Sequence, residues 1–339
     1  MTDFVHLHVH SNFSLLDGAA PAVDLCERAA QMGMGALAVT DHNSLAGAVR
    51  FFQAAQKAGV RPLAGVEFTV ESVSQSPLPS LLRQGPGDSA YFPSARADTT
   101  TDYSRYAHLL LLALDNEGYS SLCRLVTCAR LGRARHSGPF SAEFAHLERR
   151  NPVLSREHLE EYAGHLVCLS GCEKGEIPRL VEAGEWRQAQ EVAGYYRSLF
   201  GEENFFVELH NHLLPPPRSG MRYALANFAG RLDIPVVATN NVHYVDRRMA
   251  RAQDILVCMK AIQTVHEYHP DRKINAEYDL KSPEEMAYLF ADLPEALENA
   301  AEIARRCSWE LDLEHFHFPK FDLESLGHAD GEEEDAPRT

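Results

Sequence analysis

Residues 4–18 of the chain read FVHLHVHSNFSLLDG, and the alternation at their start sets the register of the first predicted strand. His6, His8 and His10 alternate with apolar residues, as expected where successive side chains point to opposite faces of a strand. The three imidazoles therefore share one face. The alternation alone leaves two interpretations open, a ligand-binding face or an unusually polar piece of core.

Beyond this strand, the same pattern of an apolar strand followed by an amphipathic helix recurs along the chain. Strands are predicted at GALAVTD, RPLAGVEFTV, HLLLLAL, HLVCLS, NFFVELH and IPVVATN. A helix through AGAVRFFQAAQKAG is predicted to stop at Gly59. Near-continuous apolar strands separated by helices indicate an α/β fold with a parallel sheet covered on both faces. Seven such units favour a closed or nearly closed βα barrel.

Two insertions interrupt this alternation of strands and helices, and further segments come after it. Residues 72–106 are rich in Ser, Pro, Gly and Asp and are predicted to form a mobile insertion, and residues 132–153 a shorter one. Near the C-terminus, Ser282 and Glu285 have the spacing of a capping box that opens a helix. The acidic residues 321–339 are predicted to be disordered.

Composition restricts the function classes. The 339 residues carry a formal net charge of −16, which argues against broad DNA binding through a basic surface. A phosphate-bearing substrate is still compatible if bound cations supply local positive charge. No apolar run reaches the roughly 20 residues of a membrane span. Seven cysteines without a CxxC motif favour a reducing cytoplasm.

Side chains that bind metals collect near the ends of the predicted strands. His8 and His10 are followed by Asp17, and His42 stands in the triplet TDH. Imidazole, carboxylate and thiolate together are donors for Zn, Mn or Fe rather than for Ca or Mg alone. Nine candidates are too many for one ion, so two or three divalent metals are predicted, with Asp17 or Glu67 as a bridging carboxylate. The further candidates are Glu67, His108, Cys172, Asn241 and His243.

Other histidines keep a structural interpretation beside a functional one. His6 lies deeper in the strand than His8 and fits a hydrogen-bonded core residue at least as well as a ligand. His210 and His212 form a second HxH pair at a strand end. For His212 we consider a phosphate contact, with a structural role as an equal alternative.

These residues, taken in order, resemble the PHP (polymerase and histidinol phosphatase) superfamily. Its pattern is HxH, an Asp before Gly, TDH, a Glu after Gly, a lone His and a final x-x-His. The chain is most similar to the N-terminal PHP domain of bacterial DNA polymerase III alpha subunits, of the error-prone alpha type. The segments that carry the likeness are HSNFSLLDGA, ALAVTDHNSLAGAVRF, GYSSLCRLV, LSGCEKGEIPR, ATNNVHY and SPEEMAYLFADLPEALENAAEIARRC.

The resemblance implies a distorted (β/α)7 barrel at residues 1–270, a helical extension packed on it at 271–320, and up to three metal ions in a cleft. It implies that His10, Asp17 and His243 lie nearest the reacting phosphate. The ligand positions carried over are His8, His10, Asp17, His42, Glu67, His108, Cys172, Asn241 and His243. Members of this family act as metal-dependent phosphoesterases, and some alpha subunits have 3′–5′ exonuclease activity.

Two departures from the pattern leave alternatives open. Asn241 stands where the family has aspartate, and its neutral amide is a weaker ligand than a carboxylate. No polymerase active site can be assigned in these residues. We therefore expect an exonuclease-type phosphoesterase acting on DNA 3′ ends, with polymerase or other replication and repair proteins as partners and no membrane. The alternatives are a phosphatase for a small monoester, such as histidinol phosphate, and a metal-binding structural module with reduced activity.

Overall fold

The computed structural model describes residues 4–74, 76–79, 105–131, 152–216, 218–267, 269 and 271–315. Most of the two predicted insertions, 72–106 and 132–153, and the whole predicted tail, 321–339, lie outside these residues. Within the described part, no helix has the length and apolar character needed to cross a bilayer.

Helices and strands alternate as the sequence predicts. The strands are β1 (Ala36–Val39), β2 (Arg61–Glu71), β3 (Tyr106–Ala113), β4 (Leu166–Leu169), β5 (Phe205–Leu209) and β6 (Val236–Ala238). The helices are α1 (Ala22–Gln31), α2 (Ala48–Ala58), α3 (Asn116–Leu131), α4 (Arg156–Glu161), α5 (Glu176–Ala183), α6 (Trp186–Phe200), α7 (Met221–Arg231), α8 (Ala250–Ala261), α9 (Pro283–Leu289) and α10 (Pro294–Arg306).

Two local predictions are confirmed. Helix α2 ends at Gly59, whose φ of 73° lies in the left-handed region that glycine adopts without a steric penalty. Helix α9 begins with a complete capping box, in which the Ser282 hydroxyl accepts from the Glu285 backbone N–H and the Glu285 carboxylate accepts from the Ser282 N–H. Both features depend on short-range chemistry that the sequence shows directly.

The six strands form one sheet in chain order, and β3 runs against its neighbours. The pairs β1–β2, β4–β5 and β5–β6 are parallel, whereas β3 is antiparallel to both β2 and β4. The prediction of a wholly parallel sheet was therefore wrong at this strand. A run such as HLLLLAL shows that a strand is buried on both faces but carries no signal for its direction.

The sheet curls into a half-barrel, and the first segment, 4–10, lies across the open side. The His6 carbonyl accepts from Ala38 N–H in β1, while the His8 carbonyl accepts from Val242 N–H beyond β6. The segment contributes an isolated parallel bridge between Val9 and Val242 rather than a regular strand. The mixed α/β fold is therefore confirmed, whereas the predicted count of seven β/α units is not.

The C-terminal segment packs on the barrel. Helix α10 lies against β6, and the Asn299 amide donates to the Val236 carbonyl. Beyond α10, the Trp309 ring meets Phe52 edge-on at 5.3 Å and Tyr119 at 5.0 Å between centroids. These contacts place the segment in the main core, while the predicted domain boundary at residue 270 stays a prediction.

Replacing Trp309 tests this packing. Trp309 is 3% exposed, so we expect Trp309→Ala to lower the free energy of unfolding by about 3–5 kcal/mol through lost contacts and a cavity. The same change at Trp186, which is 44% exposed on α6, should cost less than about 1 kcal/mol. Urea denaturation of the two variants measures the difference. Equal losses would show that the segment after α10 is not part of the barrel core.

Candidate metal centre

The direction of β3 explains how the candidate ligands meet at one edge of the sheet. In a parallel sheet, functional side chains gather at the carboxyl ends of the strands. His108 lies near the start of its strand and would sit at the opposite edge if β3 were parallel. Because β3 is antiparallel, His108 pairs with Thr69 near the end of β2, two residues from Glu67.

The carboxylate of Glu67 lies at the centre of the cluster. Glu67 is 1% exposed, and its oxygens lie 2.8 Å from His42 Nδ1 and 3.1 Å from His108 Nδ1. His8 Nε2 at 3.4 Å and His10 Nε2 at 3.5 Å complete the surroundings. Four imidazoles thus converge on one buried carboxylate, which they share as an ion-pair partner.

The histidines also set the charge of this carboxylate. Burial alone would raise the pKa of Glu67, because a buried charge is poorly solvated. The imidazoles of His108, His8 and His42 outweigh burial and hold the pKa of Glu67 well below its usual value. The carboxylate is therefore ionised, and its negative charge favours a cation among the surrounding nitrogens.

A second buried carboxylate, Glu208 in β5, fixes the ring of His8. His8 Nδ1 lies 2.7 Å from Glu208 Oε1, which also accepts from the Thr239 hydroxyl at 2.5 Å. Burial opposes a charge on His8, but Glu208 and Glu67 together raise its pKa to about 10. With Nδ1 donating to Glu208, Nε2 faces Glu67. A carboxylate behind a histidine in this way is the usual support of a metal-binding imidazole.

The orientation of His10 follows from a chain of hydrogen bonds. The Ser14 hydroxyl donates to Asp41 Oδ1 at 2.7 Å, so it accepts from His10 Nδ1 at 3.0 Å. That tautomer leaves the Nε2 lone pair of His10 directed at His8 Nε2, 3.1 Å away. Because the pKa of His8 is raised, its Nε2 carries the proton that pairs with this lone pair, and a bound cation would replace that proton. Two nitrogens bound to one tetrahedral zinc lie about 3.4 Å apart, close to the observed spacing.

Asp17 organises the other half of the cluster. Its Oδ2 lies 2.7 Å from His42 Nε2 and 3.4 Å from His243 Nε2, while Oδ1 accepts from Gln253 Nε2 at 3.0 Å. Burial would raise the pKa of Asp17, but His243 and His42 hold it well below its usual value. His243 Nδ1 donates to the Asn241 carbonyl at 2.7 Å, so its Nε2 faces Asp17. His42 thus bridges the two carboxylates, Asp17 and Glu67.

Cys172 lies at the edge of the same cluster. Its Sγ is 3.5 Å from His108 Nδ1, and the residue is 3% exposed. Burial, together with the charge of Glu67, raises the pKa of the Cys172 thiol well above its usual value. The thiolate that a metal requires would therefore form only with a cation bound beside it.

Asn241 faces the same cavity as the other predicted ligands but offers a neutral amide instead of a carboxylate, an imidazole or a thiol. The residue is 2% exposed, its φ is 43°, and its Oδ1 is buried without a hydrogen-bond partner. An orphaned amide oxygen in this position can coordinate a cation at little cost, since it loses no existing bond. It supplies no negative charge.

The cluster forms the floor of a cavity of about 760 Å³. Seven of the predicted ligands line it: Asp17, His42, Glu67, His108, Cys172, Asn241 and His243. His8 and His10 lie behind this surface and are fully buried. The structure thus brings all nine predicted positions to one place.

The remaining two histidines of interest lie outside the cluster. His6 Nε2 donates to the Lys281 carbonyl at 2.9 Å, in agreement with the structural role predicted for it. His212 is 5% exposed, and its Nε2 lies 3.0 Å from the Asn240 carbonyl. Its ring stacks on Tyr278 at 3.9 Å between centroids. As a donor to Asn240, neutral His212 has no second N–H for a phosphate, and that predicted contact stays a prediction.

Sequence reasoning missed the supporting residues Glu208, Asp41 and Ser14. The signal for Glu208 was the same as for Glu67, a lone carboxylate inside an apolar strand, here NFFVELH. Asp41 stands beside His42 in the triplet TDH, yet only the histidine was considered. The Ser14 hydroxyl could not be found this way, because its role depends on a partner 27 residues away in the chain.

The donor set fits divalent ions. Within the described residues, four groups of three side chains offer ligand atoms within 4.8 Å of one another. They are His10, His42 and His243; His8, His10 and Glu67; His42, Glu67 and His108; and His8, Glu208 and His210. Nitrogen and carboxylate donors in such density suit zinc, manganese or iron.

Sequence comparisons relate the chain to known proteins. The sequence model described as "PHP domain" matches residues 6–212. The error-prone DNA polymerase of Symbiobacterium thermophilum is 37% identical over 328 residues, which cover 96% of this chain and 27% of that protein. The DNA polymerase III subunit alpha of Borreliella burgdorferi is 34% identical over 305 residues, 90% of this chain and 24% of that protein. This chain therefore spans about a quarter of the length of these relatives.

Among solved structures, an amidohydrolase from Chromobacterium violaceum aligns with a TM-score of 0.34 and 17% identity, covering 71% of this chain and 87% of that one.

Weakening the support of His8 tests the arrangement. We expect Glu208→Gln to lower the affinity for Zn²⁺ or Mn²⁺ by about 10- to 100-fold, because a neutral amide orients His8 without raising its basicity. Glu191→Gln, on the exposed face of α6, is the matched control and should leave affinity unchanged. Competition with a chromogenic chelator measures both. An unchanged affinity in Glu208→Gln would show that Glu208 does not support the metal centre.

Proposed function

The chain belongs to the PHP domain family and is related to the N-terminal region of DNA polymerase III alpha subunits, and on that premise we propose that it is a metal-dependent phosphoesterase. Its substrate in this proposal is the 3′ end of a DNA strand, from which it releases nucleotides by hydrolysis. The rest of a polymerase is not needed for this reaction.

One observation carries the proposal. His8 Nε2 and His10 Nε2 lie 3.1 Å apart beside Glu67, and the outer nitrogen of each ring is already committed to Glu208 or to Ser14. The inner nitrogens of two histidines and a carboxylate therefore face one point, where a cation would replace the proton that the raised pKa of His8 keeps on its Nε2.

Two or three divalent ions, Zn, Mn or Fe, would be held by these residues. His8, His10 and Glu67 form one ligand group, and His42, Glu67 and His108 another that shares the same carboxylate. When bound, such ions supply Lewis acidity, which activates water and offsets the negative charge of a phosphoryl group. Asn241, with its orphaned Oδ1, would be the weakest ligand of the set.

Three residues would lie nearest the reacting phosphate. Asp17 and His243 line the cavity, and the His10 ring lies behind them, 4.7 Å from the His243 ring between centroids. Gln253 holds Asp17 by a hydrogen bond of 3.0 Å, so the carboxylate keeps its position between His42 and His243. Fixed groups at this point would align the phosphate without reorganising during the reaction.

The substrate assignment rests on the relatives, which are DNA polymerases. If the chain is a nuclease, it would remove nucleotides from the end of a DNA strand. It would act in the cytoplasm, together with polymerase or other replication and repair proteins. A phosphatase for a small monoester would need the same cluster. The nuclease and the phosphatase activities are therefore distinguished by the substrate that is hydrolysed, because their metal ligands are the same.

The activity is tested with a single-stranded oligonucleotide labelled at its 5′ end. Protein loaded with Mn²⁺ or Zn²⁺ should shorten the strand one nucleotide at a time, and a chelator should stop it. Glu67→Gln should lower the rate by at least about 100-fold, because the shared carboxylate is lost. Glu71→Gln, on the same strand, is the control and should retain the rate.

Two other results would replace the proposal. Hydrolysis of histidinol phosphate or p-nitrophenyl phosphate with no shortening of the strand would favour the small-molecule phosphatase. A metal-replete protein that hydrolyses neither substrate would favour a structural metal-binding module.

Asn241 provides a gain-of-function test. We expect Asn241→Asp to raise the hydrolysis rate several-fold, because a carboxylate binds a divalent ion more tightly than a neutral amide does. Asn116→Asp is the matched control, since its side-chain oxygen would still accept from the Glu310 N–H. Metal content by elemental analysis accompanies both rates. A rate that does not rise, in protein with full metal content, would favour the structural module.

A further inference from the structure

A second cavity of about 350 Å³ opens beside the metal centre. The two cavities have a common wall, to which Cys172, Glu173, Lys174, Asp271 and Lys273 contribute. The second cavity, here named the side cavity, therefore adjoins the metal centre. Its volume lies within the roughly 300–1,000 Å³ typical of ligand pockets.

Two cations in the side cavity, Lys273 and Arg218, form no direct ion pair with a carboxylate of the described residues. The charge of Lys273 still acts on Glu173, which lines both cavities: against the effect of burial, it lowers the pKa of that carboxyl to about 2. The other three cations that line the cavity are paired: Lys174 with Asp271 at 2.5 Å, Arg222 with Asp292 at 3.2 Å and Arg272 with Asp254 at 2.6 Å. In a chain of net charge −16, unpaired cations in a cavity favour an anionic ligand there.

Lys273 connects this cavity to the metal centre. Its Nζ lies 4.5 Å from the centre of the Tyr278 ring, so the ammonium is held over an aromatic face. Tyr278 in turn stacks on His212 and meets the His243 ring edge-on at 6.0 Å. After burial, the charge of Lys273 is the strongest influence that lowers the pKa of His243. The ammonium therefore lies beside the cluster, where the two cavities adjoin.

From these observations we propose that Lys273 and Arg218 bind the phosphate next to the one being hydrolysed. The substrate would then be a strand end with two successive phosphates, rather than a compound with a single phosphate. This inference rests on the proposed hydrolase function and specifies its substrate class. Lys273 and Arg218 are specificity-determining residues in it, since neither touches the reacting atoms.

The effect of the second phosphate on the rate can be measured with two dinucleotides that differ only in that phosphate. Thymidylyl-thymidine has only the internal phosphate, and its 5′-phosphorylated form has one more. Water adds to the internal phosphorus of either compound, and the bond to the 3′ oxygen of the first nucleoside breaks. That oxygen takes a proton from water, and the second nucleoside leaves as its 5′-monophosphate. The chemistry is the same, so a difference in rate reports the extra phosphate alone.

We expect the metal-loaded protein to hydrolyse the 5′-phosphorylated dinucleotide with a kcat/KM at least about tenfold higher, the effect of one or two charge-assisted hydrogen bonds. Lys273→Gln and Arg218→Gln should each reduce the ratio between the kcat/KM values of the two dinucleotides. Lys273→Arg, which keeps the positive charge, should retain part of the preference for the 5′-phosphorylated dinucleotide. Lys57→Gln, on the surface of α2, is the control and should keep it. Melting temperatures check that every variant is folded.

The outcomes separate the two proposals. Equal kcat/KM for both dinucleotides, or a preference that survives in both Gln variants, overturns the phosphate subsite and leaves the hydrolase intact. If the metal-loaded protein hydrolyses neither dinucleotide, the proposed function itself fails, and the subsite with it.

Discussion

The constraint on which the site depends is the burial of a charged carboxylate, Glu67, at the edge of the sheet. A carboxylate removed from water is costly unless positive charge or hydrogen bonds compensate it. Here the compensation comes from imidazoles on several different elements, among them the first segment, the loop after β1, and β3. The side chains therefore stay close only while the barrel is correctly assembled, which links the fold to the site.

The same constraint explains the role of the residues that hydrogen-bond to the ligand histidines from outside the cluster. Each inner histidine can offer a lone pair to the centre only if its other nitrogen has an acceptor. Glu208 provides that acceptor for His8, Ser14 for His10, and the Asn241 carbonyl for His243. Without these partners the rings could turn or take the other tautomer, and the cluster would neutralise itself through ordinary hydrogen bonds. The supporting residues thus keep the centre available for cations.

Much of this could be read from the sequence, because ligand spacing and strand periodicity are local. The HxH pair, the LLDG loop and the end of α2 at Gly59 all depend on neighbours a few residues apart. What could not be read depends on contacts distant in the chain. The sequence HLLLLAL does not indicate the direction of β3, although this direction brings His108 close to Glu67. Glu208 is a visible carboxylate, yet its partner His8 lies 200 residues away. The side cavity combines Lys273 and Arg218 from distant positions in the chain and has no sequence signature.

The metal centre can be tested by anomalous diffraction from crystals of the purified wild-type protein, collected at the absorption edges of zinc, manganese and iron. We expect at least two ions, one of them within about 2.0–2.3 Å of His8 Nε2, His10 Nε2 and a Glu67 oxygen. Crystals grown with added metal that show no anomalous peak beside Glu67 would contradict this expectation. In that case the facing nitrogens of His8 and His10 would hold a proton, and the cluster would be a feature of the core.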